Sequence, residues 1–185
     1  MRVATPPLFF LLAALTAAGH AAEVAVHAVR DGDALEVVAV AEFEGDIPRT
    51  WRVLTDYGRI AEYVPGVETS RVLARGPNSA VVEQKGEARL LFVGIPIRIR
   101  LEVTEHPFER VESRAISGSF RELRSIYTLE TRERRVVLRY TGRLVPDFAV
   151  PPLIGTWLLR RNVEDAFRAL VEEIERQHQP VNSER

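Results

Sequence analysis

Polar and apolar residues alternate along much of the chain between Val67 and Leu144, with a period of two that predicts β-strands. The clearest run is VGIPIRIRLEV, in which the apolar residues share one face and the charged residues share the other. Turn-forming residues divide the region into about five strands, at Gly76-Pro77-Asn78, His106-Pro107, Gly118 and Thr131 to Arg134. The pattern therefore predicts an antiparallel sheet with one apolar and one solvated face.

Two further strands and two short helices are predicted before this region. The β-prone runs VAVHAV and ALEVVAVAEFE flank the turn-forming segment Arg30 to Asp33, which predicts a β-hairpin. Asp46 can then cap a short helix with Pro48 in its first turn, which Gly58 interrupts. A second short helix is predicted from Arg59 to Tyr63, because a Pro-Gly step follows it closely.

A long amphipathic helix is predicted at the C-terminal end. It follows the segment VPDFAVPP and runs to about His178, which gives a length of roughly 40 Å at about 1.5 Å per residue. Its apolar residues recur at helical spacing: Leu159, Val163, Ala166, Phe167, Leu170 and Ile174. Such a helix must bury its apolar stripe, and the apolar face of the sheet is the available partner. The fold class is therefore α+β.

Composition and charge limit the partners. The chain has 185 residues, which suits one domain, and its 25 basic and 26 acidic residues give a formal net charge of −1. This balance provides no field to attract nucleic acid. Charged residues of both signs alternate on the predicted solvated face, as in Arg110, Glu112 and Arg114, and this pattern favours cross-strand ion pairs. We expect no nucleic-acid partner.

The first residues have the layout of a secretory signal. Arg2 precedes an apolar run from Leu8 to Ala18, and small residues follow at Gly19-His20-Ala21. We therefore predict a signal peptide over residues 1–21, a domain over 22–179 and a disordered tail over 180–185, with export to the periplasm or the extracellular space. The alternative is a buried first helix. Because the chain has no cysteine, it can form no disulfide.

No catalytic or metal-binding motif stands out. The histidines are scattered at positions 20, 27, 106 and 178, and neither G-x-S-x-G nor H-E-x-x-H occurs. The paired acidic residues Glu164-Asp165 and Glu172-Glu173 are predicted to lie on the solvated face of a helix. We therefore predict no catalytic residue, no metal and no cofactor.

Small residues on the predicted inward faces of the strands favour a cavity. They are Ala39, Ala41, Gly86, Ala88, Ser113, Ala115 and Ser125. Unfilled volume is costly in a protein interior unless a ligand occupies it. The alternative is that aromatic side chains from across the layer, such as Trp157 and Phe92, fill the space.

Three short motifs, in this order and before a terminal helix, carry a resemblance to a known superfamily. They are Thr55-Asp56-Tyr57, Tyr63-Val64-Pro65-Gly66-Val67 and Gly118-Ser119-Phe120. The chain resembles the START-like helix-grip superfamily (SRPBCC), in particular its polyketide cyclase/dehydrase and coenzyme Q-binding branch, over roughly Glu42 to Gln177. The resemblance implies a curved antiparallel sheet wrapped around the long helix, two short helices near the N-terminus, and a cavity for an apolar ligand.

The candidate ligand-binding residues follow from this expected cavity. The short helices would place Tyr57 and Tyr63 near one end of it, where their rings could contact a ligand body and their hydroxyls a carbonyl or headgroup. Alternatively, both rings simply plug that end of the domain. The full predicted set is Tyr57, Tyr63, Ala88, Phe92, Ile95, Ile97, Ala115, Ser125, Tyr127, Tyr140, Trp157 and Arg161.

The predicted function is the binding, and with it the transport or sequestration, of a hydrophobic small molecule such as a lipid or isoprenoid quinone. Two alternatives stay open: an enzyme of the polyketide cyclase/dehydrase type, and a protein that holds a partner helix or peptide in the same groove. We expect a monomer that contacts membranes transiently. A buried ionisable residue pointing into the cavity would favour the enzyme, and a broad exposed apolar patch would favour the partner-binding protein.

Overall fold

Eight antiparallel strands form one curved sheet in the computed structural model, which describes residues 22–90, 93–150 and 152–178. The order across the sheet is β1-β2-β8-β7-β6-β5-β4-β3. The strands are β1 (Glu23–Asp31), β2 (Ala34–Glu44), β3 (Val67–Gly76), β4 (Ser79–Leu90), β5 (Val93–His106), β6 (Arg110–Gly118), β7 (Phe120–Arg132) and β8 (Arg135–Pro146). The helices are α1 (Ile47–Thr55), α2 (Ile60–Tyr63) and α3 (Pro152–His178), with a 3₁₀ turn at Tyr57–Arg59. The predicted α+β helix-grip fold is confirmed.

The chain reaches the two edges of the sheet in turn. The β1–β2 hairpin forms one edge, and α1, the 3₁₀ turn and α2 then lead to β3 at the opposite edge. From β3 the strands follow one another back across the sheet, until β8 pairs with β2. This connectivity leaves α2 beside β3, while α3 packs chiefly against β1 and β2.

Helix α1 forms where its capping residues predict it. The Asp46 carboxylate accepts a hydrogen bond from the backbone N–H of Arg49 at 2.8 Å, which satisfies one of the unpaired N–H groups of the first turn. Trp51, Val53 and Leu54 are buried on the inner side of the helix. The amphipathic helix therefore fixes one end of the domain.

The main core lies between α3 and the β1–β2 edge. Phe167, Val171 and Ile174 of α3 are buried in the same cluster as Ala39 and Ala41 of β2, both of which are completely buried. The two alanines allow the helix to approach the sheet closely. Their small size therefore serves helix packing, and the interpretation of these two positions as open cavity space was wrong.

Ion pairs between neighbouring strands cover the outer face of the sheet. Arg100 of β5 lies 3.2 Å from Glu83 of β4, and Arg114 of β6 pairs with Glu102 of β5. These contacts confirm the predicted cross-strand pairing. Each exposed pair contributes only about 0–1 kcal/mol, so the pairs serve mainly to keep this face solvated.

The region after Val67 contains six strands, one more than the five or so that the turn residues predict. The additional break separates β4 from β5, and Leu90 pairs with Val93 on either side of it. No glycine or proline lies between these two residues, so the sequence has no turn signal there.

Candidate ligand-binding cavity

A cavity of about 260 Å³ lies between the concave face of the sheet and the helices. Strands β3 to β8, the short helices and the middle of α3 all contribute to its wall. The apolar part of the wall includes Ile60 from α2, Leu101 from β5 and Leu170 from α3. The cavity lies over the central strands. Helix α3 packs most closely on β1 and β2, so it does not cover the opposite half of the sheet.

Two further hollows adjoin this cavity. A groove of about 580 Å³ runs between β4, β5 and α3, and a smaller hollow of about 170 Å³ lies beside residues 146–150 and the first turns of α3. Phe120 borders all three spaces, and Ile97 borders the groove and the smaller hollow. The three spaces therefore share walls along α3.

The rim of the groove depends on two glycines that touch through their backbones. Gly66 has φ +83°, and its carbonyl oxygen accepts a hydrogen bond from the N–H of Glu87 at 2.9 Å. A Cβ at Gly86 would lie 1.9 Å from that carbonyl oxygen, so no larger residue fits. Gly86 therefore permits this close approach, which explains its small size better than cavity space does.

Phe120 enters the cavity because the chain turns sharply at Gly118. Gly118 has φ +124°, and a Cβ there would lie 2.1 Å from the carbonyl oxygen of Arg98. Ser119 then donates its N–H to the same carbonyl oxygen at 2.8 Å. The Gly118-Ser119-Phe120 motif was noted in the sequence, but Phe120 was not selected as a site residue. Gly118, two residues earlier, is the feature of the sequence that could have identified Phe120 as a site residue.

Tyr57 joins the wall of the cavity to an ion pair whose carboxylate is buried and whose guanidinium is half exposed. Its hydroxyl donates a hydrogen bond to Glu105 Oε1 at 2.8 Å, and Arg75 Nη1 lies 2.9 Å from the same oxygen. The Arg75 guanidinium also lies over the Tyr57 ring, 5.4 Å from its centroid. Burial, followed by the hydrogen bond to Glu105, raises the pKa of Tyr57 well above its usual value. These contacts fix the ring in place and occupy its hydroxyl.

Tyr127 and Tyr140 form the inner wall from neighbouring strands. They are paired across β7 and β8, their ring centroids are 4.7 Å apart, and the Tyr127 ring stacks on Phe167 of α3 at 6.4 Å. Burial raises the pKa of Tyr140 to about 12, although the Ser125 hydroxyl opposes the shift. Burial also raises the pKa of Tyr127. Both hydroxyls therefore remain protonated at neutral pH.

Tyr63 lies at the junction of α2 and α3. Burial, followed by the negative charge of Glu173, raises its pKa to about 12. Burial also acts to raise the pKa of Glu173, but hydrogen bonds from Gln177 and Arg176 prevail, and the pKa of this carboxyl falls below its usual value. Gln177 Nε2 donates to Glu173 at 2.6 Å, and Arg176 donates to both carboxylate oxygens. Glu173 is therefore a compensated charge beside the cavity.

The structure brings most of the predicted site residues together. The cavity of about 260 Å³ is lined by Tyr57, Tyr63, Ser125, Tyr127 and Tyr140. Ala88 and Ile97 border both the groove and the smaller hollow, and Ile95 borders the smaller hollow. Ala115 pairs with the cavity-lining Leu101 on the same face of the sheet, but it is not part of the wall. Phe92 lies outside the described residues.

Two predicted residues on α3 are placed elsewhere. The Trp157 side chain is 49% exposed, and Arg161 lies on the same exposed face, with its Nε 3.9 Å from Asp165. Residues three and four positions apart share a helix face, and this face points away from the sheet. Leu158 and Leu159 border the smaller hollow instead. The assignment of Trp157 and Arg161 to the cavity was wrong because the phase of the helix near its N-terminal end was misjudged.

The side chains that line the cavity of about 260 Å³ are uncharged at neutral pH. Apart from its tyrosines, its wall as described contains no ionisable side chain, and its other polar side chains are Gln84, Ser113 and Ser125. Across the described ranges, no three His, Asp or Glu side chains converge as a metal site would require. Among the same residues, no helix has both the length and the apolar character needed to cross a membrane.

The curved sheet, the long terminal helix and the apolar cavity between them define a helix-grip protein. The chain belongs to the polyketide cyclase / dehydrase and lipid transport family, whose model matches residues 44–174. No curated protein sequence matches the chain significantly.

Solved structures share the fold at low sequence identity. The STAR-related lipid transfer protein from Xanthomonas axonopodis is similar with a TM-score of 0.67 and 13% identity, over 84% of this chain and 94% of that chain. The ZhuI aromatase/cyclase from Streptomyces sp. R1128 is similar with a TM-score of 0.64 and 17% identity, over 87% and 98%. A START superfamily protein from Mycobacterium smegmatis gives 0.65 and 15%, over 77% and 98%. These likenesses show the START-like fold.

Proposed function

We propose that the protein binds a hydrophobic small molecule, such as a lipid or an isoprenoid quinone of the coenzyme Q type, and carries or sequesters it without catalysis. The observation that carries the proposal is the cavity of about 260 Å³ between the sheet and α3, whose described wall is mostly apolar and contains no Asp, Glu, His, Lys or Arg. A site with these properties suits an uncharged ligand body.

Burial of apolar surface supplies the driving force. Each 100 Å² or so of ligand surface that leaves water contributes about 2.5 kcal/mol, before the cost of association is subtracted. The adjoining groove of about 580 Å³ extends the space beyond this cavity, and its wall is partly charged. A ligand longer than the cavity could therefore bury its remaining length along α3.

The proposal places this binding outside the cytoplasm. The predicted signal peptide supports that location, and the family's description includes lipid transport. The protein would act as a monomer that contacts a membrane transiently, and the ligand would enter and leave through the groove.

An enzyme of the cyclase/dehydrase type is the second candidate. Tyr63, Tyr127 and Tyr140 belong to the cavity wall, and a neutral tyrosine hydroxyl can polarise a carbonyl group. The similarity in fold to an aromatase/cyclase adds support. Purified protein incubated with linear poly-β-ketone analogues would test this candidate, because a cyclase would raise the rate of ring formation above the uncatalysed rate.

No observation favours the third candidate, a groove that holds a partner helix or peptide. The exposed large apolar side chains in the described ranges are dispersed over five strands, one turn and α3: Val29, Val38, Val72, Leu73, Phe108, Ile116, Ile126 and Trp157. A partner-binding surface would instead collect such side chains into one patch.

The decisive experiment identifies what the protein carries. The exported protein would be purified without detergent and extracted with organic solvent, and the extract analysed by mass spectrometry. A recurrent apolar compound in stoichiometric amount supports the proposal. Extracts without any enriched compound, together with no uptake of added lipids or quinones, would overturn it.

A pair of alanine substitutions tests the location of the site. Ala88 borders the groove and the smaller hollow, whereas Ala115 lies on the same sheet face without being part of a cavity wall. We expect Ala88→Leu to weaken binding of a neutral apolar dye with little effect on thermal stability, because the added methyl groups occupy ligand space. Ala115→Leu is the control and should leave dye binding unchanged. Equal binding by both variants would contradict this location.

A further inference from the structure

A single aromatic ring lies between the cavity of about 260 Å³ and the smaller hollow of about 170 Å³. Among the described residues, Phe120 is the only one that borders both of these spaces. The cavity and the groove, by contrast, share six described residues: Val64, Val67, Gln84, Ile99, Phe120 and Ala166. The cavity therefore adjoins the groove along a broad boundary, whereas it meets the hollow only at Phe120.

Hydrogen bonds fix the backbone next to Phe120. The hydroxyl of Ser119 accepts a hydrogen bond from the N–H of Arg98 at 3.1 Å, in addition to the bond between the Ser119 N–H and the Arg98 carbonyl oxygen. The carbonyl oxygen of Ser119 accepts a further hydrogen bond from the N–H of Asp147 at 3.0 Å. These bonds tie the start of β7 to β5 and to the segment that follows β8. The Phe120 side chain therefore projects from a backbone that is held on two sides.

A second ring supports Phe120 from the side of the hollow. Phe148 lies in the segment between β8 and α3, and its ring meets the Phe120 ring edge to face, with the centroids 6.2 Å apart. Phe148 borders the hollow, but it belongs to the described wall of neither the cavity nor the groove. Both rings are half-buried. The contact holds the Phe120 ring in the position that separates the two spaces.

The hollow has a more apolar wall than the groove. Among the described residues of the hollow, Asn162 contributes the only polar side chain. The wall of the groove includes the charged residues Lys85, Glu87 and Asp165. An apolar chain gains most where it displaces water from apolar surface, and it gains less where it covers charged groups. A chain in the cavity would therefore gain more from entering the hollow than from entering the groove, and the Phe120 ring blocks that path.

We propose that Phe120 is a specificity-determining residue, which keeps the apolar chain of the ligand out of the hollow and so limits the length of chain that the protein binds tightly. A chain that fills the cavity must continue into the groove, where each further methylene group gains less. The proposal rests on the proposed function, since it concerns an apolar ligand in the same cavity. It adds the feature that selects among ligands of different length.

The test uses ligands that differ only in length. A neutral apolar dye bound to the protein is displaced by a series of straight-chain primary alcohols, and the affinity of each alcohol is measured. The variants are Phe120→Ala, which removes the partition, and Phe120→Leu, which replaces the ring by a smaller apolar side chain. The matched control is Phe148→Ala, which removes an identical ring that borders the hollow alone.

In the unmodified protein, we expect the affinity to rise about fourfold per methylene group until the chain fills the cavity, and to rise less with each further group. In Phe120→Ala the steep rise should continue to longer chains, so the affinity ratio of the longest to the shortest alcohol should increase about tenfold or more. Phe120→Leu should give an intermediate ratio, and it keeps the test valid if Phe120→Ala fails to fold. Phe148→Ala should preserve the ratio of the unmodified protein.

A double variant separates entry into the hollow from simple enlargement of the cavity. Leu159 borders the hollow, but it is not part of the described wall of the cavity or the groove. Leu159→Phe fills part of the hollow, so in the Phe120→Ala background it should return the affinity ratio toward that of the unmodified protein. A ratio that Leu159→Phe leaves unchanged would show that the chain uses only the space of the missing ring, and the proposal would be overturned.

The remaining outcomes distinguish the proposal from the proposed function. An equal ratio in the unmodified protein and in both Phe120 variants would overturn the proposal and leave the proposed function intact, because the alcohols would still bind. An equal increase in Phe120→Ala and Phe148→Ala would also overturn it, since the effect would not depend on the ring between the two spaces. Failure of every alcohol to displace the dye would overturn the proposed function, and this proposal with it.

Discussion

The cavity tyrosines make the protein's stability sensitive to alkaline pH, and Tyr140→Phe isolates this effect. The pKa of Tyr140 is raised to about 12 in the folded protein by burial, whereas tyrosine in an unfolded chain titrates near pH 10. The folded state therefore holds its proton more tightly. The resulting stabilisation is fully present below about pH 10 and is lost as the pH rises through about 12.

The size of the effect follows from the two pKa values. At about pH 11 the unfolded hydroxyl is roughly 90% ionised and the folded one roughly 10%, so the free energy of unfolding falls by about 1.4 kcal/mol relative to neutral pH. Tyr63, whose pKa is also raised to about 12, should add a similar fall. The Tyr140→Phe variant lacks one of these contributions, so its stability should decrease less.

Urea unfolding followed by far-ultraviolet circular dichroism at about pH 8 and about pH 11 measures the difference. The fall between the two pH values should be smaller in Tyr140→Phe than in the unmodified protein by about 1.4 kcal/mol, at unchanged m value. The control is Thr141→Val, which removes a hydroxyl from the outer face of β8, and it should follow the unmodified protein. Equal falls in all three proteins would show that Tyr140 titrates normally and would contradict its burial as the cause of a raised pKa.

Three further predictions concern the Tyr57 hydroxyl, the exposed Trp157 side chain and the signal peptide. Tyr57→Phe removes a hydrogen bond to a buried carboxylate and should cost about 1.5–3 kcal/mol in urea unfolding at neutral pH; a cost below about 0.5 kcal/mol would contradict the Glu105 contact. Trp157→Phe should leave dye affinity unchanged because Trp157 is exposed, and a marked loss would return it to the binding site. Signal cleavage near Ala21 stays a prediction that terminal sequencing of envelope protein tests, and an intact Met1 in cytoplasmic protein would refute it.

The elements were predictable because their signals are local. Alternation identified the apolar face of β5, although the break before it has no turn signal, and the cap at Asp46 located α1. Both inferences depend on residues close together in the chain. Tyr57 and Tyr63 were expected at the cavity for a different reason, because the resemblance to the helix-grip superfamily implies that the short helices lie near one end of it.

The details of the cavity depend on contacts between distant residues, which one sequence does not display. Position 86 has no room for a side chain because the carbonyl oxygen of Gly66 lies against it. Position 142 has little room because the end of the Tyr140 ring lies over it. Ala39 is small because α3 packs on it. The composition showed many small residues on the inward faces, but only the packing shows which of them leave space and which of them fill it.

The state of the buried carboxylates decides between binding and proton-transfer chemistry. A general base needs a lone pair that is free to accept a proton from the ligand. Glu105 and Glu173 both lie beside cavity tyrosines, but the first is occupied by Tyr57 and Arg75, and the second by Arg176 and Gln177. Among the described residues, these two carboxylates are therefore engaged by other partners, and Tyr63, Tyr127 and Tyr140 would act as neutral donors in the proposed site. A neutral tyrosine hydroxyl can hold a carbonyl oxygen without removing a proton, and the rate of ring formation with linear poly-β-ketone analogues measures whether proton transfer occurs as well.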